Sequence, residues 1–354
     1  MDRRQEMLAG VLHGKEELRV ERIAVPTAGP ADLLVRVRAA LTCGTDLKVY
    51  RRGHHARMIT LPAALGHELA GDVVEVGSAV RSFKVGDRIV AANSAPCHKC
   101  FFCRQDEKNL CENLLFNNGA YAEYIRIPGP IVDCNTYIVP PHVDYRDAAL
   151  SEPLACVLKG IDDTGVKPGD TVTVIGLGPI GLMFVRVAKI AGARVIAIGR
   201  RQMQLDRAEH LGAEVLVESR RGEDPTDEVR RHTQGGRGSD VVIEAVGSPH
   251  AWRQAVSMVR SGGKVNFFGG CPKQTVVCLD TSRLHYSSIT LKATFHHTPD
   301  HIREALELVS RGDVHSGDFI AGEAPLADLV KVFQQLTSRR GQLKTAIRPD
   351  AAKP

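Results

Sequence analysis

The sequence contains no apolar run long enough to cross a bilayer and no block of like charges. Its longest apolar stretch, "TVTVIGLGPIGLMFVRVAKIAGA", is broken by glycines, a proline and charged residues, which argues against a membrane span. The net charge of +5 is spread along the chain. No basic stripe results, and nucleic-acid binding is not expected. The opening "MDRRQEMLAGVLHGKEELRV" lacks an apolar core of signal-peptide length, so the expected location is cytoplasmic. Internal repeats and low-complexity segments are also missing. What remains, 43% apolar and 25% charged residues over 354 positions, is the composition of a globular protein. One core seldom serves more than ~250–300 residues, so two domains are expected.

Nine cysteines in such a chain suggest metal or redox chemistry rather than a disulfide framework. Four of them fall in "APCHKCFFCRQDEKNLCE", where Cys97, Cys100, Cys103 and Cys111 are spaced C-x2-C-x2-C-x7-C. Three thiolates at short intervals can wrap one ion and the fourth can close a tetrahedron, holding a loop too polar to own a core. An iron–sulfur cluster is the competing reading. The bacterial ferredoxin run, however, closes after three residues and is followed by proline, whereas this one closes after seven and is followed by Glu112. Structural zinc is therefore expected. A closed four-sulfur site has no open position, so it braces the fold and catalysis lies elsewhere.

The first part of the chain alternates short β-branched runs with glycine and proline, as in "DLLVRVRAA", "AGDVVEVG", "GDRIVAA" and "AYAEYIRI". These read as strands of a β-rich domain. The segment "DAALSEPLACVLKGIDDTG" has helical apolar spacing. From "TVTVIG" onward strands alternate with amphipathic helices, including "AWRQAVSMVRSGG" read as a helix and "KVNFFGG" as the next strand. That alternation predicts a doubly wound parallel sheet. The last stretch offers the helices "DHIREALELVSRG" and "ADLVKVFQQLTSR" and a closing strand, "LKTAIRP".

Gly176, Gly178 and Gly181 form G-x-G-x-x-G directly after a predicted strand, with Pro179 and Ile180 inside the motif and opening a helix. The first glycine permits a tight turn, the second a close approach of backbone to pyrophosphate, the third close helix–strand packing. Dinucleotide binding is expected in this context. Val246, after the strand-like "DVVIEA", joins the cofactor candidates. The second strand should end in an acidic residue if the ribose hydroxyls are to be held. It ends instead in Gly199, followed by Arg200 and Arg201. Two guanidiniums suit a 2′-phosphate, so NADP(H) is favoured over NAD(H), and Ser219 or Arg220 can add to the same pocket.

Three further features are unremarkable singly: "TCGTD" with Cys43, Thr45 and Asp46; "LGHELAG" with His67 and Glu68; and "SEPLACVLKG" with Glu152. With "GHELAGDVVEVG", "VGDRIV", the cysteine loop and "GLGPIG" in this order, the chain resembles the zinc-dependent medium-chain dehydrogenase/reductase family over nearly its whole length. It is most similar to the polyol and threonine branch. The resemblance implies an α/β protein with a GroES-like β-rich catalytic domain, residues 1–155, interrupted by a Rossmann domain, residues 156–294, and resumed at 295–354. It also implies that Cys43, His67 and Glu152 surround a catalytic zinc, with Glu68 an outer or exchanging ligand and Asp46 orienting His67. Thr45 would accept the alcohol proton. Relatives continue that relay through a histidine where Lys48 stands here, and His54 or His55 are the substitutes available.

Tyr50, Phe116, Phe295, His296 and His297 are the substrate-pocket candidates that the resemblance suggests, the two histidines equally readable as a surface turn. Aromatics mixed with hydroxyl-binding groups suit a polyol, sugar or cyclitol better than a long aliphatic alcohol. The implied activity is hydride transfer between NADP(H) and a secondary alcohol or its ketone, by a homodimer or homotetramer carrying two zinc ions per chain. An aldehyde- or formaldehyde-oxidising enzyme of the same superfamily is one alternative. A non-enzymatic, NADPH-binding redox sensor is the other.

Overall fold

The computed structural model describes residues 6–54, 57–220, 223–338 and 343–349. The chain forms two compact units, one of Met1–Ala155 with His297–Pro354, the other of Cys156–His296. The first crossing falls inside the helix Ser151–Thr164 and the second at His297 rather than at 295. Among the described residues no helix is long and apolar enough to cross a membrane.

In the first unit the strand Leu33–Leu41 is the hub. It pairs antiparallel with Glu68–Val76, Tyr124–Ile127 and Lys344–Arg348. Its register slips between Leu34 and Val35 and between Val37 and Ala39. Such irregularities turn consecutive side chains inward, and Ala39, Ala40 and Leu41 are all fully buried. Around it Leu33, Val35, Ile89, Tyr121, Ile127, Leu329 and Phe333 share one core. The pairings Leu41↔Glu68 and Leu41↔Ala346 have a functional consequence. They bring to one level the residues that follow one strand, Thr42 and Cys43, and those at the starts of two others, His67, Glu68 and Lys344.

A helix absent from the sequence reading, Gly44–Arg52, begins at this level. Cys43 is its N-cap and accepts the Thr45 backbone N–H at 3.4 Å through Sγ. Asp46 lies in the first turn, Arg51 and Arg52 in the last, so the charges complement the helix dipole. Gly53 ends it at φ 72°, where a Cβ would come within 2.6 Å of the Lys15 backbone nitrogen. Only glycine fits that approach.

The second unit is a six-stranded parallel sheet ordered Val215–Glu218, Arg194–Gly199, Thr171–Ile175, Ser239–Glu244, Val259–Phe267, Thr290–Ala293. In chain order this is 3-2-1-4-5-6, the doubly wound arrangement whose strand order reverses beside Thr171–Ile175. The expected helix over 251–263 stops at Met258, and Val259–Phe267 runs on as one strand. Val259 pairs with Ser239 and Gly262 adopts φ 70°, so strand pairing displaces the last helical turn.

Candidate active site

At the shared level of the first unit, ligand atoms of Cys43, His67 and Glu68 lie within 4.8 Å of one another. His67 and Glu68 are buried. His67 Nδ1 lies 2.9 Å from Asp46 Oδ1. An ionised carboxylate only accepts, so a hydrogen sits on Nδ1, and Nε2 is the nitrogen whose lone pair a metal would take on displacing its proton. Burial disfavours imidazolium here, but Asp46 and Cys43 outweigh it and hold the His67 pKa well above the ordinary value. A sulfur, a nitrogen and an oxygen donor, with a carboxylate behind the imidazole, match the chemistry of a zinc site.

Of the two carboxylates considered from sequence, Glu68 belongs to this compact set. Glu152 faces His297: its Oε1 lies 3.7 Å from His297 Nε2. That nitrogen is also 3.1 Å from Asn93 Oδ1. His297 is 2% exposed, so it does not close a surface turn. Burial pushes the Glu152 carboxyl up to about 7, although His67 pulls in the opposite direction.

The other candidates separate. Thr45 is half-buried beside Cys43, whereas Lys48 and His54 are exposed, and His55 lies outside the described residues. Tyr50 is buried in the core with its ring edge against Phe333, 5.5 Å between centroids. Phe116 is half-buried in the strand pair with Ser94. In the second unit Phe295 is 49% exposed, and His296 takes φ 65°.

The four-cysteine loop gathers as its spacing predicts. Ligand atoms of Cys97, Cys100, Cys103 and Cys111 lie within 4.8 Å of one another. His98 and Asp106 turn the backbone at φ 58° and 61°. The Lys99 backbone N–H draws the Cys97 thiol down to about 6, while burial and the neighbouring thiols push Cys103 up to about 12. All four could be thiolates near neutral pH only with a cation among them.

In the second unit Gly176 has φ 95°, and a Cβ there would meet Val246 Cγ2 at 2.5 Å. A Cβ on Gly181 would lie 1.7 Å from the Gly176 carbonyl, so helix and strand close only over a bare Cα. A Cβ on Gly178 would meet nothing within 4 Å, leaving open space at the head of the helix Pro179–Ile190. That is the cradle a pyrophosphate needs. At Gly199 a Cβ would press on Leu177 Cδ1 at 2.7 Å, so no acidic side chain fits without displacing Leu177. Arg200 and Arg201 are exposed, and Arg201 caps the helix Gln202–His210. The Ser219 backbone N–H donates to the Gly199 carbonyl at 2.7 Å, and Arg220 pairs with Glu218 at 3.4 Å.

Residues 29–132 match the alcohol dehydrogenase GroES-like domain model and residues 179–311 the zinc-binding dehydrogenase model. The chain is 30% identical to sorbitol dehydrogenase of Bacillus subtilis, an alignment covering 98% of each protein. It is 37% identical to L-threonine 3-dehydrogenase of Symbiobacterium thermophilum over 71% of each. Among solved structures, a protein of Sinorhizobium meliloti described as a zinc-binding dehydrogenase and bound to NADP superposes with TM-score 0.87. It is 32% identical and the match covers 97% of this chain and 99% of that one. The chain belongs to the zinc-dependent medium-chain dehydrogenase family.

Sequence reasoning missed three buried side chains of this medium-chain dehydrogenase. The Tyr121 hydroxyl donates to Asp46 Oδ2 at 2.6 Å and lies 3.0 Å from the Leu41 carbonyl, fixing Asp46 behind His67. Asn93 holds His297, and Lys344 holds Glu68. Tyr121 was legible only as one aromatic of a strand-like run. Neither of the others carries a local signal.

A fourth buried group belongs to the nucleotide unit of the dehydrogenase. Glu244 ends its strand, and its Oε1 accepts the Val246 and Gly247 N–H groups at 2.7 and 2.9 Å. Burial pushes this carboxyl up to about 7; the groups that act against it, two backbone N–H and the Trp252 indole, carry no charge. Because the folded pKa lies above the unfolded one, the contribution of Glu244 is fully present below pH ~4.5 and is lost as pH rises through 7. The stability of wild type relative to Glu244→Gln should therefore fall by up to about 3 kcal/mol between pH 5 and pH 8.5. Thermal melts of both across that range test it, and parallel pH profiles would refute the shift.

Proposed function

We propose that this chain is a zinc- and NADP(H)-dependent dehydrogenase that transfers hydride between the cofactor and a secondary alcohol, or its ketone, on a polar molecule such as a polyol, sugar or cyclitol. The observation that carries the reading is the convergence of Cys43, His67 and Glu68 within 4.8 Å, with Asp46 behind the imidazole. Cys43, His67 and Glu68 would hold the catalytic ion, with Glu152 nearby as a further carboxylate. Cys97, Cys100, Cys103 and Cys111 would hold a second ion that braces the loop.

When bound, zinc supplies Lewis acidity, which makes a hydroxyl acidic near neutral pH and polarises a carbonyl in reverse. The protein's own side chains do the rest. Thr45 accepts the hydroxyl proton and passes it outward. Tyr121 and Asp46 hold the His67 ring in one tautomer. Asn93, His297 and Glu152 form a buried polar group suited to hydroxyl-bearing substrates, because a site built from such groups rejects molecules that leave them unpaired. Gly199 and the exposed Arg200 and Arg201 favour a 2′-phosphate, and a related structure has NADP bound. Relatives named as sorbitol and L-threonine dehydrogenases support a small polar alcohol.

Metal analysis with a coupled substrate screen tests the reading. About two zinc ions per chain and NADP-linked oxidation of a polyol, sugar or cyclitol are expected. One ion per chain with no turnover on any alcohol would instead fit a protein that only binds the nucleotide.

A further inference from the structure

Lys344 is the one lysine or arginine buried among the described residues. Its Nζ lies 2.6 Å from both Glu68 carboxylate oxygens and 3.1 Å from the Thr42 carbonyl. An ammonium has three hydrogens and finds three acceptors, so it is saturated. The register fixes this placement. Lys344 opens the strand that pairs with the hub through Ala346↔Leu41, and Glu68 opens the strand that pairs with it through Leu41↔Glu68. Thr345 and Thr42 lock the level with two further bonds: the Thr345 backbone N–H donates to Thr42 Oγ1 at 2.8 Å, and the Thr42 backbone N–H donates to the Thr345 carbonyl at 3.0 Å.

Glu68 thus stands between two cation positions. One is the ammonium, already present. The other is the place defined by Cys43 and His67, whose ligand atoms lie within 4.8 Å of a Glu68 oxygen. The charge balance makes the competition matter. Cys43, Asp46, Glu68 and Glu152 are four groups at this end of the unit able to carry negative charge, and Lys344 is the one lysine or arginine buried with them among the described residues. With His67 neutral on a bound ion and no second buried lysine or arginine among the described residues, a Glu68 carboxylate that lost its ammonium would turn to the ion, since an unpaired buried charge is expensive.

We propose that Lys344 is a positioning residue for the metal centre. By engaging both Glu68 oxygens it keeps that carboxylate a weak, displaceable ligand, so that a coordination position stays available to substrate. The inference rests on the reading of Cys43, His67 and Glu68 as a metal site. A purely stabilising salt bridge would have the opposite signature. Removing Lys344 would then loosen the site and release the ion faster.

The experiment is zinc transfer from the intact, zinc-loaded protein to a chromophoric chelator. The release phase missing in Cys43→Ser identifies the site. Lys344→Met should slow that phase by about tenfold or more, the scale on which outer groups alter metal affinity. Lys344→Arg should keep it near wild type, and adding Glu68→Gln to Lys344→Met should restore fast release. Lys344→Gln, which still donates to Glu68 but carries no charge, should show the same slowing and covers the case in which the methionine variant does not fold. In the cobalt(II)-loaded protein, the visible spectrum of the neutral variants should change as Glu68 joins the ion. Unchanged or faster release from a folded neutral variant would overturn the inference while leaving the metal site standing. So would slowing that survives Glu68→Gln. A wild-type protein with no Cys43-dependent ion would overturn both.

Discussion

Replacing Cys43 with serine is expected to reduce turnover by about a thousandfold or more, while NADPH still binds. The size follows from what the ion is asked to do. Lewis-acid stabilisation of developing charge is worth several kcal/mol, and each factor of ten in rate takes about 1.4 kcal/mol. Serine is close in size but removes the soft, ionisable sulfur that, with one nitrogen and one oxygen, makes the proposed donor set. The helix Gly44–Arg52 should survive, because serine is among the best N-cap residues and can accept the Thr45 N–H as Cys43 Sγ does. Loss of activity would thus not reflect loss of fold. Nucleotide binding belongs to the other unit, whose glycine turn is untouched. Measuring kcat, zinc content and NADPH fluorescence on the same preparation separates these effects. A variant that turns over at wild-type rate would remove Cys43 from the ligand set.

The second large effect is expected at the cofactor pocket. Substituting Arg200 and Arg201 together with alanine should weaken NADPH roughly ten- to a hundredfold and NADH far less. Both guanidiniums are exposed at the head of the helix Gln202–His210, free to meet a dianionic phosphate in a region that also offers helix N–H groups. NADH presents no charge there to lose. Restoring an acidic residue at 199 should not be a simple route to the opposite preference, because a Cβ at that position already presses on Leu177. Titrating both cofactors against wild type and the double variant decides the matter, and equal losses for the two would refute the phosphate pocket.

The parts of this protein that were legible in the sequence are those whose partners lie close along the chain. The four cysteines fall within fifteen residues, and the fingerprint glycines within six. Of those glycines, Gly181 meets a steric demand set within the turn itself, where a Cβ would lie 1.7 Å from the Gly176 carbonyl. The parallel sheet was legible because strand and helix periods alternate over many residues, although pairing beside Ser239 took Val259 from the expected helix. The helix Gly44–Arg52 escaped notice because it is short and its mean hydropathy is low, even though Arg51, Arg52 and Gly53 are proper terminal signals.

By itself, then, the sequence determined the two-part architecture, the cysteine-bound loop, the glycine turn and the motifs that mark a zinc dehydrogenase. Only the tertiary structure decided which carboxylate stands with Cys43 and His67, that Glu152 faces His297, and that Tyr121 and Lys344 bond to Asp46 and Glu68 from 75 and 276 positions away. The physical reason is strand register. Pairing of Leu41 with Glu68 and Ala346 sets three distant segments at one level, and a one-residue slip in any of them would turn its side chains to the other face.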